Sequence, residues 1–248
     1  MAIEIFSRFE NKYRLNGDTF RRVRAAVAEN MEPDAYNHDG CTYNIRNIYY
    51  DTADGAMIRN SLAKPRYKEK LRLRAYGETG SEDTVYLEIK KKFSGLVSKR
   101  RSALTLSEAY AFLDGGALPQ PRGDMNAQVL REAQYILQRK ILLPTAYLAY
   151  DRLAYFGVGL HDLRVSFDTN IRTRRDALRF EDGDYGEPLL APDSWIMEIK
   201  VAQSIPLWLC KLLSKHEIYP ESFSKYGEEY KIRRSQICSD QYSNQQTA

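Results

Sequence analysis

Residues Tyr67–Gly77 read YKEKLRLRAYG. Lys68, Lys70, Arg72 and Arg74 take every second position, with Leu71, Leu73 and Ala75 among them. Successive side chains of a β-strand point to opposite faces, so one face of this stretch suits a core and the other is a cationic ribbon. An edge strand kept soluble by lysine has a similar pattern. The rest of the chain decides between the two.

The same alternation recurs along the chain. Arg8, Glu10, Lys12 and Arg14 share one face, opposite Phe9, Tyr13 and Leu15. Tyr43, Ile45 and Tyr49 oppose Asn44, Arg46 and Tyr50, and Val85, Leu87 and Ile89 oppose Tyr86, Glu88, Lys90 and Lys92. Lys99 and Arg101 share a face, and Arg152 shares one with Leu148 and Tyr150. Leu163, Val165, Phe167 and Ile171 oppose Arg164, Ser166, Asp168, Asn170 and Arg172; Trp195, Met197 and Ile199 oppose Glu198 and Lys200. These segments predict about eight strands. Helices are expected from Asp18, as N-cap, to about Met31; from Ser107 to Leu113; within MNAQVLREAQYILQRK; and from Pro206.

The 248 residues are 43% hydrophobic and 28% charged, with a net charge of +4. No repeat or long linker divides them, so a single domain over 1–238 is expected, with a polar, flexible tail at 239–248. No apolar run reaches the roughly 18 residues of a membrane span. The charged N-terminus is no signal peptide. Cys41, Cys210 and Cys238 are odd in number and scattered, which fits free thiols in a reducing cytoplasm. His38, His161 and His216 are isolated from one another, which argues against a histidine-based metal or catalytic cluster.

Helices must cover the apolar strand faces, because those faces need a core. The charged faces are then left to look at one another. A sheet curled into a barrel would gather Lys12, Arg46, Lys70, Arg72, Arg74, Lys90, Lys99, Arg101, Arg152, Arg164 and Lys200 in its interior, with Glu10, Glu88 and Glu198 among them. Desolvated like charges are costly, so such a lumen calls for water and a polyanion. Arginine forks and lysine ammoniums suit phosphate oxygens. The three glutamates suit Mg²⁺ or Mn²⁺ shared with substrate phosphates. A nucleic acid would ask for a basic outer surface with aromatic platforms, and none is expected as a partner. Each Glu-x-Lys pair taken alone could equally be a cross-strand salt bridge.

The ordered set FENKY, NIYYDT, KLRLRAYG, YLEIKKK, SKRR, AYDRLAY, LRVSFDT, IMEIKV and SFSKY resembles the VTC domain over about residues 4–233. This is the catalytic domain of the vacuolar transporter chaperone polyphosphate polymerase and its bacterial relatives. The family is grouped with the triphosphate tunnel metalloenzymes, alongside CYTH phosphatases and RNA triphosphatases. The resemblance implies an α+β fold: an antiparallel eight-stranded tunnel barrel with helices packed outside. It implies that Arg72 and Arg74 grip the triphosphate and act in catalysis with Lys90 and Lys200. Lys12, Lys99, Arg101, Arg152 and Arg164 match other basic wall positions, and Ser224 and Lys225 match a late phosphate-contacting segment. Glu198 matches the metal-binding glutamate, and Glu10 the first-strand glutamate of the wider superfamily. Arg8 stands where that superfamily has a further glutamate, which weighs against thiamine-triphosphatase and adenylate-cyclase readings.

The function so implied is a metal-dependent polyphosphate polymerase. It would move the terminal phosphoryl group of ATP to a growing polyphosphate chain, which would leave from the far side of the tunnel. The rivals are a metal-dependent triphosphatase and a polyphosphate-binding module without turnover. Eukaryotic members carry a regulatory domain and a membrane segment; this chain is expected to work in the cytoplasm, with any membrane coupling left to a separate partner.

Overall fold

The computed structural model describes residues 9–37, 40–94 and 96–246. Arg8 and His38 lie outside the described residues. The alternating segments form β1 (Phe9–Asn16), β3 (Tyr43–Asp51), β4 (Tyr67–Tyr76), β5 (Thr84–Phe93), β6 (Leu96–Thr105), β7 (Leu143–Gly157), β8 (Leu160–Arg174) and β10 (Ser194–Val201). Two short strands, β2 (Met31–Pro33) and β9 (Glu187–Pro188), pair with β7 and β8. The main path runs β1-β10-β8-β7-β3-β4-β5-β6, and its pairs are antiparallel. No ladder joins β1 to β6 among the described residues, so the sheet curls without hydrogen-bonded closure. Lys90 Nζ on β5 nevertheless lies 3.8 Å from Glu10 on β1, so the two ends of the sheet face each other across a lumen.

The helices are α1 (Gly17–Asn30), α2 (Ala56–Leu62), α3 (Leu106–Gly115), α4 (Ala127–Arg139), α5 (Leu207–Lys215) and α6 (Lys225–Gln246). They cover the apolar strand faces in two cores. One joins Leu71, Leu73, Val85, Leu87 and Ile89 to Phe112 of α3 and Val129 and Ile136 of α4. The other joins Tyr13, Val165, Phe167, Met197 and Ile199 to Val23 of α1 and Leu209 of α5.

Three local expectations change. Asn16, not Asp18, caps α1 by accepting from Thr19 N at 2.9 Å, and Asp18 lies in the first turn. Residues 239–246 are helical, because no glycine or proline interrupts α6 after Gly227. In β8 an irregularity opposite Ala149–Asp151, with Asn170 at φ 47°, shifts the alternation. Ile171 therefore joins an inner cluster with Ile45, Tyr49 and Tyr150, away from Phe167.

Candidate anion-binding tunnel

The cationic ribbon of β4 faces inward along its length. Lys68 Nζ donates to Ser61 O at 3.1 Å and sits at the rim beside α2. Lys70 Nζ donates to Ser224 Oγ at 3.3 Å and has no carboxylate partner among the described residues. Arg72 donates from Nε and Nη2 to Glu88 Oε2, and from Nη1 to Tyr49 OH at 3.1 Å. Arg74 donates to Asn47 Oδ1 at 3.0 Å and Tyr150 OH at 3.1 Å, with Glu88 3.9 Å away. Lys99 of β6 stands 2.8 Å from Glu88. Glu88 is therefore the counterion of three cations. They hold its carboxyl well below the usual range, against the burial that opposes its charge.

The opposite wall is a checkerboard. The register sets Lys12 beside Glu198 and Glu10 beside Lys200. Within each strand Lys12 Nζ is 3.4 Å from Glu10, and Lys200 Nζ is 2.8 Å from Glu198. Burial opposes the charge of both Lys12 and Glu198, but their neighbours outweigh it: Lys12 is raised, and Glu198 is held well below the carboxylate range. Arg152 donates to both oxygens of Asp168 at 2.6 and 2.8 Å, and Lys225 binds the same carboxylate. Burial alone would raise Asp168; Arg152 and Lys225 bring it down to about 2. Arg164 donates to Asp34 Oδ2 at 3.0 Å, and Arg101 lies over the Tyr86 ring.

Where neutralisation is incomplete, burial dominates. It lowers Lys90, pulls Lys70 down to about 8 and pulls Lys99 down to about 7, despite Tyr49 beside Lys70 and Glu88 beside Lys99. Tyr49 goes the other way from its burial: Arg72 and Lys70 bring its hydroxyl down to about 8. These are signs of an excess of positive potential that a bound polyanion would relieve.

One expected wall residue is elsewhere. Arg46 shares the outer face of β3 with Ile48 and Tyr50, because the inward phase belongs to Tyr43, Ile45, Asn47 and Tyr49. Arg46 donates to Asn44 at 3.1 Å and borders an outer cleft of about 510 Å³ with Asp184. The other expected basic residues, with Ser224, border the lumen or its rims. Asp168, Asn47, Tyr49 and Tyr150 were not expected there. The inward phase of β3 was the available signal for Asn47 and Tyr49. The alternation of β8 set Asp168 on the same face as Arg164, but its partners, Arg152 and Lys225, come from other elements and had no local signal.

One end of the lumen is filled. Phe223 and Tyr226 pack against Ile45, Tyr49, Leu148, Tyr150, Ile171 and Ile196, and Ile58 of α2 joins them. Lys12 Nζ donates to Phe223 O at 3.1 Å. Tyr226 OH reaches Asp51, whose carboxylate accepts from Met57 N and Ile58 N at the start of α2. The expected exit from the far side is closed in this conformation by this floor.

The donor set bears on the metal. No group of three or more His, Cys, Asp or Glu residues that could hold one forms among the described residues. Glu88 is 1% exposed and enclosed by its cations, so it does not join Glu10 and Glu198. Those two carboxylates, flanking Lys12, fit a hard divalent ion that takes its remaining oxygens from phosphate and water.

The VTC domain family matches the chain over residues 7–233. Among solved structures, a "putative adenylate cyclase" from Bacillus halodurans superposes with a TM-score of 0.51 at 17% identity, covering 87% of this chain and 92% of that one. Another from Vibrio parahaemolyticus gives a TM-score of 0.47 at 13% identity, covering 91% and 98%. The first likeness supports the fold and says nothing of chemistry. No curated protein matches the sequence. No helix among the described residues is long and apolar enough to cross a membrane.

Proposed function

The chain belongs to the VTC domain family, and from that premise we propose that it is a polyphosphate polymerase. The triphosphate of ATP occupies the lumen. The bond between the γ-phosphorus and the β–γ bridging oxygen breaks, ADP leaves, and the γ-phosphorus bonds to a terminal oxygen of polyphosphate. Arg72 and Arg74 hold phosphate oxygens, already oriented by Glu88, Asn47 and Tyr150. Lys12, Lys70, Lys90, Lys99 and Lys200 offset the charge of two polyanions brought together. Arg152 and Lys225 supply fixed positive charge deeper in the lumen. Glu198 and Glu10 would hold Mg²⁺ or Mn²⁺, which supplies Lewis-acid polarisation of phosphate oxygens when bound.

The observation that carries the proposal is that each lumen carboxylate, Glu10, Glu88, Asp168 and Glu198, lies within ion-pair distance of a lysine or arginine. None is free to act as a general base. Water attacking a phosphorus benefits from such a base, whereas a phosphate oxygen is already anionic and needs none. The floor made by Phe223 and Tyr226 favours a second reading, a triphosphatase with a blind pocket. Three exposed free thiols agree with a cytoplasmic setting.

Purified protein with ATP and Mn²⁺ tests the proposal, with products resolved as long-chain polyphosphate, ADP and free phosphate. Chains formed with matching ADP, and lost in Arg72→Ala, support the polymerase. Free phosphate without chains selects the triphosphatase. Triphosphate binding without turnover selects a binding module.

A further inference from the structure

Beside the floor, a lysine meets a serine where a carboxylate would be expected. Lys70 Nζ of β4 lies 3.3 Å from Oγ of Ser224, the residue before α6. Lys12, Lys90, Lys99, Lys200 and Lys225 each stand within ion-pair distance of a carboxylate. Among the described residues Lys70 has only this hydroxyl in such a place. Ser224 also caps α6: its Oγ accepts from Gly227 N at 3.3 Å and its carbonyl from Glu228 N at 2.8 Å. Capping accounts for the serine but not for an uncompensated lysine set against it. Burial, with Lys90, Lys68 and Lys12 nearby, disfavours the ammonium of Lys70, and Tyr49 only partly offsets this. The ring of Tyr226, from α6, lies 5.8 Å from its Nζ.

The pair lies in the path of a terminal phosphate. Lys70 is two residues before Arg72 on the same face of β4, about 7 Å along the strand. Phe223 and Tyr226, on either side of Ser224, close this end. A triphosphate held by Arg72 and Arg74 therefore enters from the other end, with its terminal phosphate leading toward Ser224. We propose that Ser224 is a phosphoryl acceptor and Lys70 its general base, so that the protein phosphorylates itself on Ser224 when ATP is bound without polyphosphate. This rests on the polymerase reading, with a hydroxyl in the place of the chain end. A bond forms between Ser224 Oγ and the γ-phosphorus as the bond to the β–γ bridging oxygen breaks. That electron pair leaves with ADP, and the hydroxyl proton passes to the neutral amine of Lys70. A serine hydroxyl, unlike a phosphate oxygen, needs such a base. The free-state value of Lys70, about 8, keeps neutral amine available near neutral pH. A bound triphosphate raises it, so the step speeds up as pH rises. Tyr49 offers another hydroxyl, but it accepts from Arg72, and its ring stacks on Tyr226 at 4.4 Å.

The test incubates the full chain, first dephosphorylated, with ATP and Mn²⁺ and no polyphosphate. ATP binding, intact mass, the modified peptide and the products are read, the last three after an acid quench, which keeps a phosphoserine and cleaves a phospholysine. Wild type should gain an acid-stable phosphoryl group on Ser224, and Ser224→Ala should gain none. Lys70→Arg keeps the charge, but a guanidinium does not give up its proton. It should phosphorylate at least about a hundredfold more slowly and lose the rise of rate with pH. Unchanged mass in wild type that binds ATP overturns the acceptor and leaves the lumen reading intact, whether chains, free phosphate or no product form. A phosphoryl group mapped to Tyr49 or any other residue in place of Ser224 overturns it equally. Lys70→Arg with the wild-type rate and pH profile overturns the base. Wild type that neither binds ATP nor turns it over removes the lumen reading, and this proposal with it.

Discussion

Glu88 Oε2 accepts two hydrogen bonds from Arg72, from Nε at 2.8 Å and from Nη2 at 2.6 Å. The guanidinium is thus fixed in orientation before any ligand arrives, by a carboxylate shielded from water. Arg74 and Lys99 crowd the other oxygen of the same group. Glu88 therefore reads as the internal counterion of the tunnel and not as a metal ligand.

Glu88→Ala leaves those three cations facing one another. The expected loss is about 3–5 kcal/mol of stability, the usual effect of removing one member of a buried ion pair. Tripolyphosphate should then raise the melting temperature more in the variant than in wild type, because the ligand takes over the neutralising role. Thermal denaturation with and without tripolyphosphate measures both effects. A variant as stable as wild type would show that Glu88 is not the counterion.

Glu198 carries the opposite expectation. It pairs with Lys200 at 2.8 Å and faces Lys12 in the register. Glu198→Gln should lower metal-dependent turnover by at least about a hundredfold, on the scale of a lost electrostatic contact at a reacting centre. Metal-free tripolyphosphate should bind as tightly as before or tighter, because one negative charge has left the wall. Weaker metal-free binding in the variant would contradict this division of roles.

Asp168 links the site to acid stability. Its folded pKa is about 2, against an ordinary 3.8. A depressed carboxylate contributes stability that is fully present above its unfolded value and lost as pH falls through its folded one. The window is therefore about pH 4 down to 2, and the contribution is about 2 kcal/mol. Chemical denaturation of wild type and Asp168→Asn should show a deficit at pH 7 that narrows across that window. A deficit independent of pH would assign the effect to packing.

Lys70 and Lys99 set a pH dependence of binding. Their free-state values are about 8 and about 7, and a bound polyanion raises both. Protonated lysine binds the anion, so affinity is highest below pH 7 and falls as pH rises through 7 and 8. Above pH 8 the fall should approach about two tenfold steps per pH unit, one for each proton taken up. Calorimetry of tripolyphosphate binding in buffers of different ionisation enthalpy reads the proton uptake directly. No uptake at pH 8 would mean that both lysines are already charged in the free protein.

The floor gives a mechanical prediction. Phe223→Ala should cost about 3–5 kcal/mol, as for other buried aromatics, seen as a shifted denaturation midpoint. If the floor limits the ligand, long-chain polyphosphate should gain affinity relative to tripolyphosphate in this variant. An unchanged ratio would show that chain length is sensed only at the mouth.

Much of this architecture was legible in single strands. The period of two in β4, β5 and β10 identified Arg72, Arg74, Lys90, Glu198 and Lys200 as lining one face, because a strand's side chains alternate whatever it pairs with. The helix run through α4 was legible for the same kind of local reason. Arg46 was misread because its strand carries polar groups on both faces, so the alternation there does not declare which side is inward. Ile171 was misread because one irregular residue in β8 shifts the phase. Glu88 could be placed in the lumen, but not distinguished as a counterion from a metal ligand.

The sequence by itself determined that the chain builds two-faced strands with a strongly cationic side, since that depends only on neighbours two positions apart. The tertiary structure alone decided which carboxylate neutralises which cation. Lys225 and Asp168 are 57 residues apart, and Lys12 and Phe223 are 211 apart. It also decided that Phe223, just before α6, and Tyr226, in its first turn, fill one end of the lumen. Such relationships depend on how far the sheet curls and where distant segments dock, and no local period records either.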